Sequence, residues 1–216
     1  MRPIQALLLF CALWACDSSQ QVAGSGSQTG NSVVAGRILA SDSTTGASGV
    51  MVYLRPLSWT SGQSAPIGGL DSTLTDSHGD YRFAHVPVDT YRVEARQRDS
   101  GWSRTVRATG PENQVVTGAL HRLGRLEMEV DLTDSTRGGE LDLYGLDRSV
   151  AIPDTGVGKE SIDLYFDSLP VGLQTVRIWT NGRDFGDTAV RIYPDSTTYL
   201  DDDDMNGVPE GPLEDP

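Results

Sequence analysis

Apolar and polar residues alternate along most of the chain beyond residue 32. The stretch 125–132 reads RLEMEVDL, in which Leu126, Met128 and Val130 are separated by charged residues. A period of two places one face of an extended strand in a core and the other face in water. No stretch carries the sustained apolar periodicity of a capped helix. The pattern therefore predicts an all-β fold.

Clusters of turn-forming residues interrupt the alternation at short intervals, for example SDSTTG at 41–46 and DSHGD at 76–80. Short strands separated in this way are typical of a β-sandwich or barrel. The run from Val50 to Leu54 is apolar on both faces, which predicts a strand in the interior of a sheet. The predicted strands are 33–39, 50–55, 70–75, 81–86, 91–97, 102–108, 114–120, 125–132, 140–146, 162–167, 173–179 and 188–193.

One segment of the chain occurs twice. Residues 80–93 (DYRFAHVPVDTYRV) align without gaps with residues 163–176 (DLYFDSLPVGLQTV) and share Asp, Phe, Pro and two Val. Upstream, GRI at 36–38 resembles GRL at 124–126. Two tandem copies of one supersecondary unit explain the pattern, in which Phe enters the core and Pro begins a tight turn. The alternative is chance similarity between two β-hairpins.

Residues 33–97 resemble the carboxypeptidase regulatory-like domain, a prealbumin-like β-sandwich that is also grouped with starch-binding-like folds. The resemblance rests on the motifs VAGRI, GVMVYL, TDSHGDYRF and VPVDTYRV, in that order along the chain. The family's usual closing motif is Pro-x-Gly-x-Tyr-x-Val. Asp89 replaces its Gly, and we expect Asp89 to tolerate a left-handed turn conformation. A weaker likeness covers 124–179, where Gly172 restores the Gly but Gln174 occupies the Tyr position.

This resemblance implies tandem antiparallel β-sandwich modules of prealbumin-like type. It also implies an accessory module of secreted or envelope proteins without catalytic residues of its own.

The first residues have the features of an export signal. Residues 1–16 read MRPIQALLLFCALWAC, with a basic residue followed by nine apolar residues, too few for a membrane-spanning helix. The end, LWAC, resembles the lipobox of bacterial lipoproteins, although Trp14 departs from its usual pattern. The resemblance implies acylation of Cys16 and attachment to the cell envelope, with the outer membrane favoured over the inner. An ordinary signal peptide with an incidental Cys is the alternative.

Composition limits the choice of partners. The chain has 30 acidic and 17 basic residues and a formal net charge of −13, which argues against binding nucleic acid or an anionic membrane surface through bulk electrostatics. Three His and two Cys argue against a Cys/His zinc cluster. We expect the chain to contact the membrane through its lipid anchor and to have a polysaccharide or an envelope protein as partner.

The sequence carries no recognised hydrolase machinery. It has no Gly-x-Ser-x-Gly motif, no His-Glu-x-x-His motif and no phosphate-binding loop. A triad can be drawn from Asp76, Ser77 and His78, but near neighbours on one turn do not give the geometry that a triad requires. The chain is therefore predicted not to be an enzyme.

The C-terminal segment DDDDMNGVPE (201–210) contains the first half of a calcium-loop pattern. Asp202, Asp204 and Asn206 alternate and precede a glycine, and Glu210 provides a later carboxylate. Asn-Gly-Val-Pro-Glu also resembles the core of thrombospondin type 3 calcium repeats. Calcium is thus the only cofactor that the sequence suggests. The alternative is a solvated acidic tail.

Three tryptophans are candidates for stacking on sugar rings. Trp59 lies in a long predicted loop, Trp102 begins a predicted strand and Trp179 ends one. The alternative is that all three pack in the protein interior.

Together, these patterns predict a non-catalytic cell-envelope lipoprotein that acts as a structural or interaction module, or alternatively a surface lipoprotein that captures polysaccharide. The predicted organisation is a signal peptide (1–16), a disordered tether (17–32), a regulatory-like β-sandwich (33–110), a degenerate second sandwich (111–200) and an acidic tail (201–216).

Overall fold

The computed structural model describes residues 32–61, 71–131, 138–154, 161–180 and 183–200, and every regular element within these ranges is a β-strand. This confirms the predicted all-β class. The strands of the first half are β1 (Ser32–Leu39), β2 (Met51–Pro56), β3 (Asp71–Leu74), β4 (Asp80–Val86), β5 (Asp89–Gln97), β6 (Ser100–Ala108), β7 (Asn113–Val115), β8 (Gly118–Ala119) and β9 (His121–Arg122). Those of the second half are β10 (Gly124–Asp131), β11 (Glu140–Leu143), β12 (Ser149–Ala151), β13 (Ser161–Leu169), β14 (Gly172–Thr180), β15 (Arg183–Ile192) and β16 (Thr197–Leu200).

The first module is a sandwich of two sheets. In one sheet β1 pairs antiparallel with β4 and parallel with β7, and the other has the order β3-β2-β5-β6-β9. The strand β2 therefore lies inside its sheet, as its two-sided apolar pattern predicts. Ile38, Phe83 and Val93 lie in a single buried cluster between the sheets. Each such fully buried side chain stabilises the fold by about 1.5–3 kcal/mol.

The second module repeats this pairing. The strand β10 pairs antiparallel with β13 and parallel with β16, while the facing sheet has the order β12-β11-β14-β15. Its core is a separate buried cluster that contains Leu126, Leu141 and Phe166. Phe83 and Phe166, which the sequence repeat aligns, therefore occupy the two cores in the same role.

The border between the modules lies later in the chain than the predicted position at residue 110. The strand β7 pairs with β1, and Val116 and Leu120 are buried in the first core. Because this segment pairs with β1 and fills the first core, residues 111–120 complete the first sandwich and do not begin the second. The predicted single strand 114–120 is accordingly divided into two short strands.

A matching β-bulge lies in β4 and in β13. The pairing register shifts between Ser32 and Val34 in the first module and between Gly124 and Leu126 in the second. At the bulges His85 and Ser168 each have a left-handed φ of 59°. One extra residue in the left-handed region is one of the conformations by which a β-bulge is formed. The sequence predicted a left-handed conformation at Asp89, but the left-handed residue of the first hairpin is His85.

The strand predictions failed for short strands and for the first half of β15, which begins at Arg183 and not at the predicted residue 188. The segments β9, β12 and β16 have two to four residues each and were not predicted. A period of two cannot be recognised over so few positions, and their strand conformation depends on pairing with distant partners.

Candidate functional site

The two modules meet where the start of β14 lies against β6. The Ser103 backbone N–H donates to the Val171 carbonyl at 2.8 Å, and Trp102 and Val171 form an isolated parallel bridge. Gly172 has a φ of 135°, and a Cβ at this position would lie 2.2 Å from the Ser103 carbonyl oxygen. Only glycine allows this approach. We call this contact region the module junction.

A fully buried arginine connects the modules. Arg92 of β5 donates through Nη1 to the Leu173 carbonyl and, at 2.9 Å, to the Gln174 Oε1. The Gln174 Nε2 donates in turn to the Ser103 Oγ at 2.6 Å and to the Pro170 carbonyl at 3.0 Å. Burial lowers the pKa of Arg92 to about 10, while the carboxylate of Glu94 opposes the shift. The second module therefore contributes the acceptors of one guanidinium nitrogen, Nη1, whereas Nε and Nη2 are buried without a hydrogen-bond partner among the described residues.

A second buried charge group lies beside Arg92. The carboxylate of Glu94 accepts hydrogen bonds from Arg55 and Arg96, and all three residues belong to the first module. Arg96 also donates to the Ser168 carbonyl of the second module at 2.7 Å. Charge-assisted bonds to a buried carboxylate such as that of Glu94 fix the geometry of the arginines that make them. The junction is thus held by directional bonds.

Trp59, predicted to be an exposed sugar-stacking residue, is buried at this junction. It is only 6% exposed, and the Arg55 guanidinium lies 5.6 Å from its ring centroid. Its carbonyl accepts a hydrogen bond from the Gly145 N–H of the second module at 2.9 Å. An indole packed in this way presents no open face to a ligand.

Trp102 borders a cleft of about 380 Å³ between the modules. The first module contributes Trp102, Arg104 and His121 to its walls, and the second contributes Leu173 and Arg191. The indole is half-buried, and the backbone of Gly118 packs against its ring. The volume lies within the range of small-ligand sites, and one aromatic wall with polar neighbours is a common lining for such sites.

The structure does not bring the three predicted tryptophans together. Trp179 lies in β14, where it pairs with Glu140 of β11 and Asp184 of β15. Trp59 is buried in the junction, and Trp102 borders the cleft.

Five of the other predicted site residues belong to the two ends of the chain. Cys16 and the candidate calcium ligands Asp202, Asp204, Asn206 and Glu210 lie outside the described residues, so both sites stay predictions. In the turn that follows β3, Asp76 Oδ1 accepts backbone hydrogen bonds from His78 N at 2.8 Å and Asp80 N at 2.9 Å.

The Ser77 Oγ lies 3.3 Å from His78 Nδ1. The bonds that Asp76 makes are to backbone amides, so they stabilise the turn and do not orient an imidazole ring.

The described ranges contain no cluster of three or more His, Cys, Asp or Glu side chains placed to hold a metal ion. Within the same ranges, no helix has the length and apolar character needed to cross a membrane.

Sequence reasoning missed the buried polar contacts of the junction. One feature pointed to them: Gln174 stands where the first copy has the buried Tyr91. A polar side chain at a position that is buried in the other copy requires a hydrogen-bonding partner. The pattern does not identify Arg92 as that partner.

Comparison with known proteins does not place the chain in a family. No family model matches it, and no curated protein matches it. Among solved structures, a candidate carbohydrate-binding protein of Pseudomonas aeruginosa is 16% identical, covers 44% of this chain and 92% of its own, and has a TM-score of 0.32. A minor pilin of Streptococcus agalactiae is 17% identical, with coverages of 78% and 93% and a TM-score of 0.32.

A DUF3823 family protein of Parabacteroides merdae is 13% identical, with coverages of 74% and 96% and a TM-score of 0.30. Likenesses this distant say nothing about the activity or ligands of this chain.

Proposed function

We propose that the chain is a non-catalytic lipoprotein of a bacterial cell envelope whose two β-sandwiches form one stiff structural or interaction module. The module junction is the observation that supports this best. Arg92 donates a buried hydrogen bond to Gln174 across it, and the Ser103 N–H donates to the Val171 carbonyl. A spacer or adhesive module needs a fixed relation between its parts, and directional bonds in a desolvated joint provide it.

The proposal includes two tandem copies of one carboxypeptidase regulatory-like unit. It is supported by the aligned segments 80–93 and 163–176, the equivalent strand pairing of the two sandwiches and the matching left-handed residues His85 and Ser168. The proposal also includes acylation of Cys16, with residues 17–31 as a tether that holds the sandwiches away from the outer membrane; residue 32, predicted to belong to the tether, is the first residue of β1. The polar composition of that segment is what a flexible tether requires.

Metabolic labelling tests the anchor. The full chain, expressed in a bacterium fed radiolabelled palmitate, is expected to incorporate label and to sediment with membranes. Cys16→Ser should abolish the label, because the thiol is the acceptor of the lipid. Cys11→Ser is the matched control, since this second thiol lies within the leader and should leave labelling unchanged. An unlabelled wild-type chain, or label on the Cys16→Ser variant, would contradict the proposal.

Polysaccharide capture is the second candidate function, and the cleft beside Trp102 is the observation that favours it. An indole, two arginines and hydroxyl-bearing residues such as Thr105 line this space between the modules. Sugars combine apolar ring faces with many hydroxyl groups, so a wall of this kind suits them.

Binding of the full chain to insoluble glucan, xylan and chitin tests this candidate. Trp102→Ala should remove binding from the pellet fraction, whereas Tyr199→Ala, an exposed aromatic that does not line the cleft, should retain it. Equal binding by wild type and Trp102→Ala would exclude the cleft as the sugar site.

A further inference from the structure

The outer face of the β13-β10-β16 sheet carries two tyrosines on either side of a glutamate. Glu127 of β10 is directly opposite Tyr165 of β13 and also directly opposite Tyr199 of β16. Residues paired in this way project from the same face of a sheet. The flanking strands are separated by two strand spacings, about 10 Å. We call Tyr165, Glu127 and Tyr199 the tyrosine row.

The row faces outward from the sandwich. Leu126, Met128 and Leu164 alternate with it and lie in the second core, so the opposite face is the buried one. Tyr199 is 73% exposed and Tyr165 is 40% exposed. These two aromatic rings are exposed to water and contribute nothing to the core. Exposed apolar groups that lie together are typical of a contact surface.

The face around the row is acidic. Asp163, Glu127 and Glu129 lie on it, and Asp167 follows at the bulge, so among the side chains that the structure describes on this face four carboxylates accompany one guanidinium, that of Arg125. The excess is three negative charges. The pKa of the Tyr165 hydroxyl is raised by desolvation first and then by Glu127 and Asp163, which agrees with a negative local potential.

The row already holds one cation. The Arg125 guanidinium carbon lies 4.3 Å from the centroid of the Tyr165 ring, well within the range of a cation–π contact. Tyr199 stands on the other side of Glu127 in the same register. One ring of the row therefore binds a guanidinium within the chain, and the more exposed ring is available for another.

The fold does not require this arrangement. In the first module the equivalent row consists of Arg82, Ala35 and Val115, which pair in the same way through β4, β1 and β7. That row contains neither a ring nor a carboxylate. Because both modules fold with the same pairing, that pairing does not require the residues of the tyrosine row.

We propose that the tyrosine row docks an arginine- or lysine-bearing segment of a protein partner, whose cation lies over Tyr199 and pairs with Glu127. This deepens the proposed function, on which it rests, by naming the chemistry of the partner. Cation–π contact and carboxylate pairing account for the rings and the charges together. A neutral glycan would use the rings but not the excess of carboxylates, and an anionic polymer would be repelled.

Fluorescence anisotropy with a labelled oligoarginine peptide tests the proposal on the full chain in detergent. Tyr199→Leu should weaken binding about two- to five-fold, because a leucine has no ring quadrupole. Tyr199→Phe should bind like wild type, since a phenyl ring retains the quadrupole. Glu127→Gln should weaken binding and reduce its dependence on salt. All three positions lie on the surface, and thermal unfolding should confirm that each variant folds.

Two controls separate site binding from general attraction to an acidic chain. Val115→Leu changes the equivalent row of the first module and should have no effect. A variant with Asp202→Asn and Asp204→Asn reduces the charge of the C-terminal segment and should leave the difference between Tyr199→Leu and Tyr199→Phe intact.

Three outcomes would overturn the proposal: Tyr199→Leu binding the peptide as wild type does, Tyr199→Leu and Tyr199→Phe losing affinity equally, or Tyr199-dependent binding of an uncharged glucan with none of the peptide. Each outcome is independent of palmitate labelling at Cys16, so a failure of this inference is distinguishable from a failure of the proposed function.

Discussion

Replacing the buried carboxylate of Asp142 by an amide should stabilise the second module at neutral pH. Asp142 lies in β11, is 6% exposed, and its Oδ1 has no hydrogen-bond partner among the described residues. Burial raises its pKa to about 6, the nearby charge of Glu140 adds to the shift, and Arg177 opposes it. An unfolded chain releases the same proton at a pH of about 4.

The sign of the effect follows from these two values. Between about pH 4 and pH 6 the folded state keeps a proton that the unfolded state has lost, so the free energy of unfolding falls as the pH rises through this window. A shift of about two pK units corresponds to about 3 kcal/mol. Because local relaxation and water reduce that value, we expect Asp142→Asn to gain about 1–3 kcal/mol near pH 7.5 and almost nothing below pH 4.

Urea unfolding followed by tryptophan fluorescence measures this difference at both pH values. Asp154→Asn, which neutralises an exposed carboxylate of the same module, is the matched control and should show no comparable gain. A difference between Asp142→Asn and wild type that is the same at both pH values, or a destabilised variant at neutral pH, would refute the reasoning.

Three further substitutions test the packing. Thr75→Val should lower the free energy of unfolding in urea by about 1–3 kcal/mol. In the wild type the buried Val50 N–H donates to Thr75 Oγ1 at 2.9 Å, and valine removes this acceptor. Gly172→Ala should disrupt the module junction, since its Cβ would lie 2.2 Å from the Ser103 carbonyl oxygen. Limited proteolysis should then be faster, and the unfolding transition should separate into two. A single unchanged transition would contradict this prediction. Ser168→Gly should raise the unfolding free energy by about 1 kcal/mol in calorimetry, because it removes a left-handed non-glycine residue.

Local patterning was sufficient to predict the longer strands and the core positions. Leu126, Met128 and Val130 alternate with charged residues and are all buried in the second core, because a strand has only two faces and the apolar one must leave water. The aligned Phe83 and Phe166 were likewise identifiable from the repeat, and both are core residues. These features depend on spacing along the chain alone.

Contacts between distant segments could be decided only by the tertiary structure. Alternation places Glu127 and Tyr165 within predicted strands, but the strand of Tyr199 was not predicted, and only the pairing of β13, β10 and β16 brings the three residues into one row. In the same way, Arg92 looks like a solvent-facing strand residue until the second module covers it and provides Gln174 as acceptor. The physical reason is that side-chain periodicity determines which way a residue points, whereas its partners depend on which strands become neighbours.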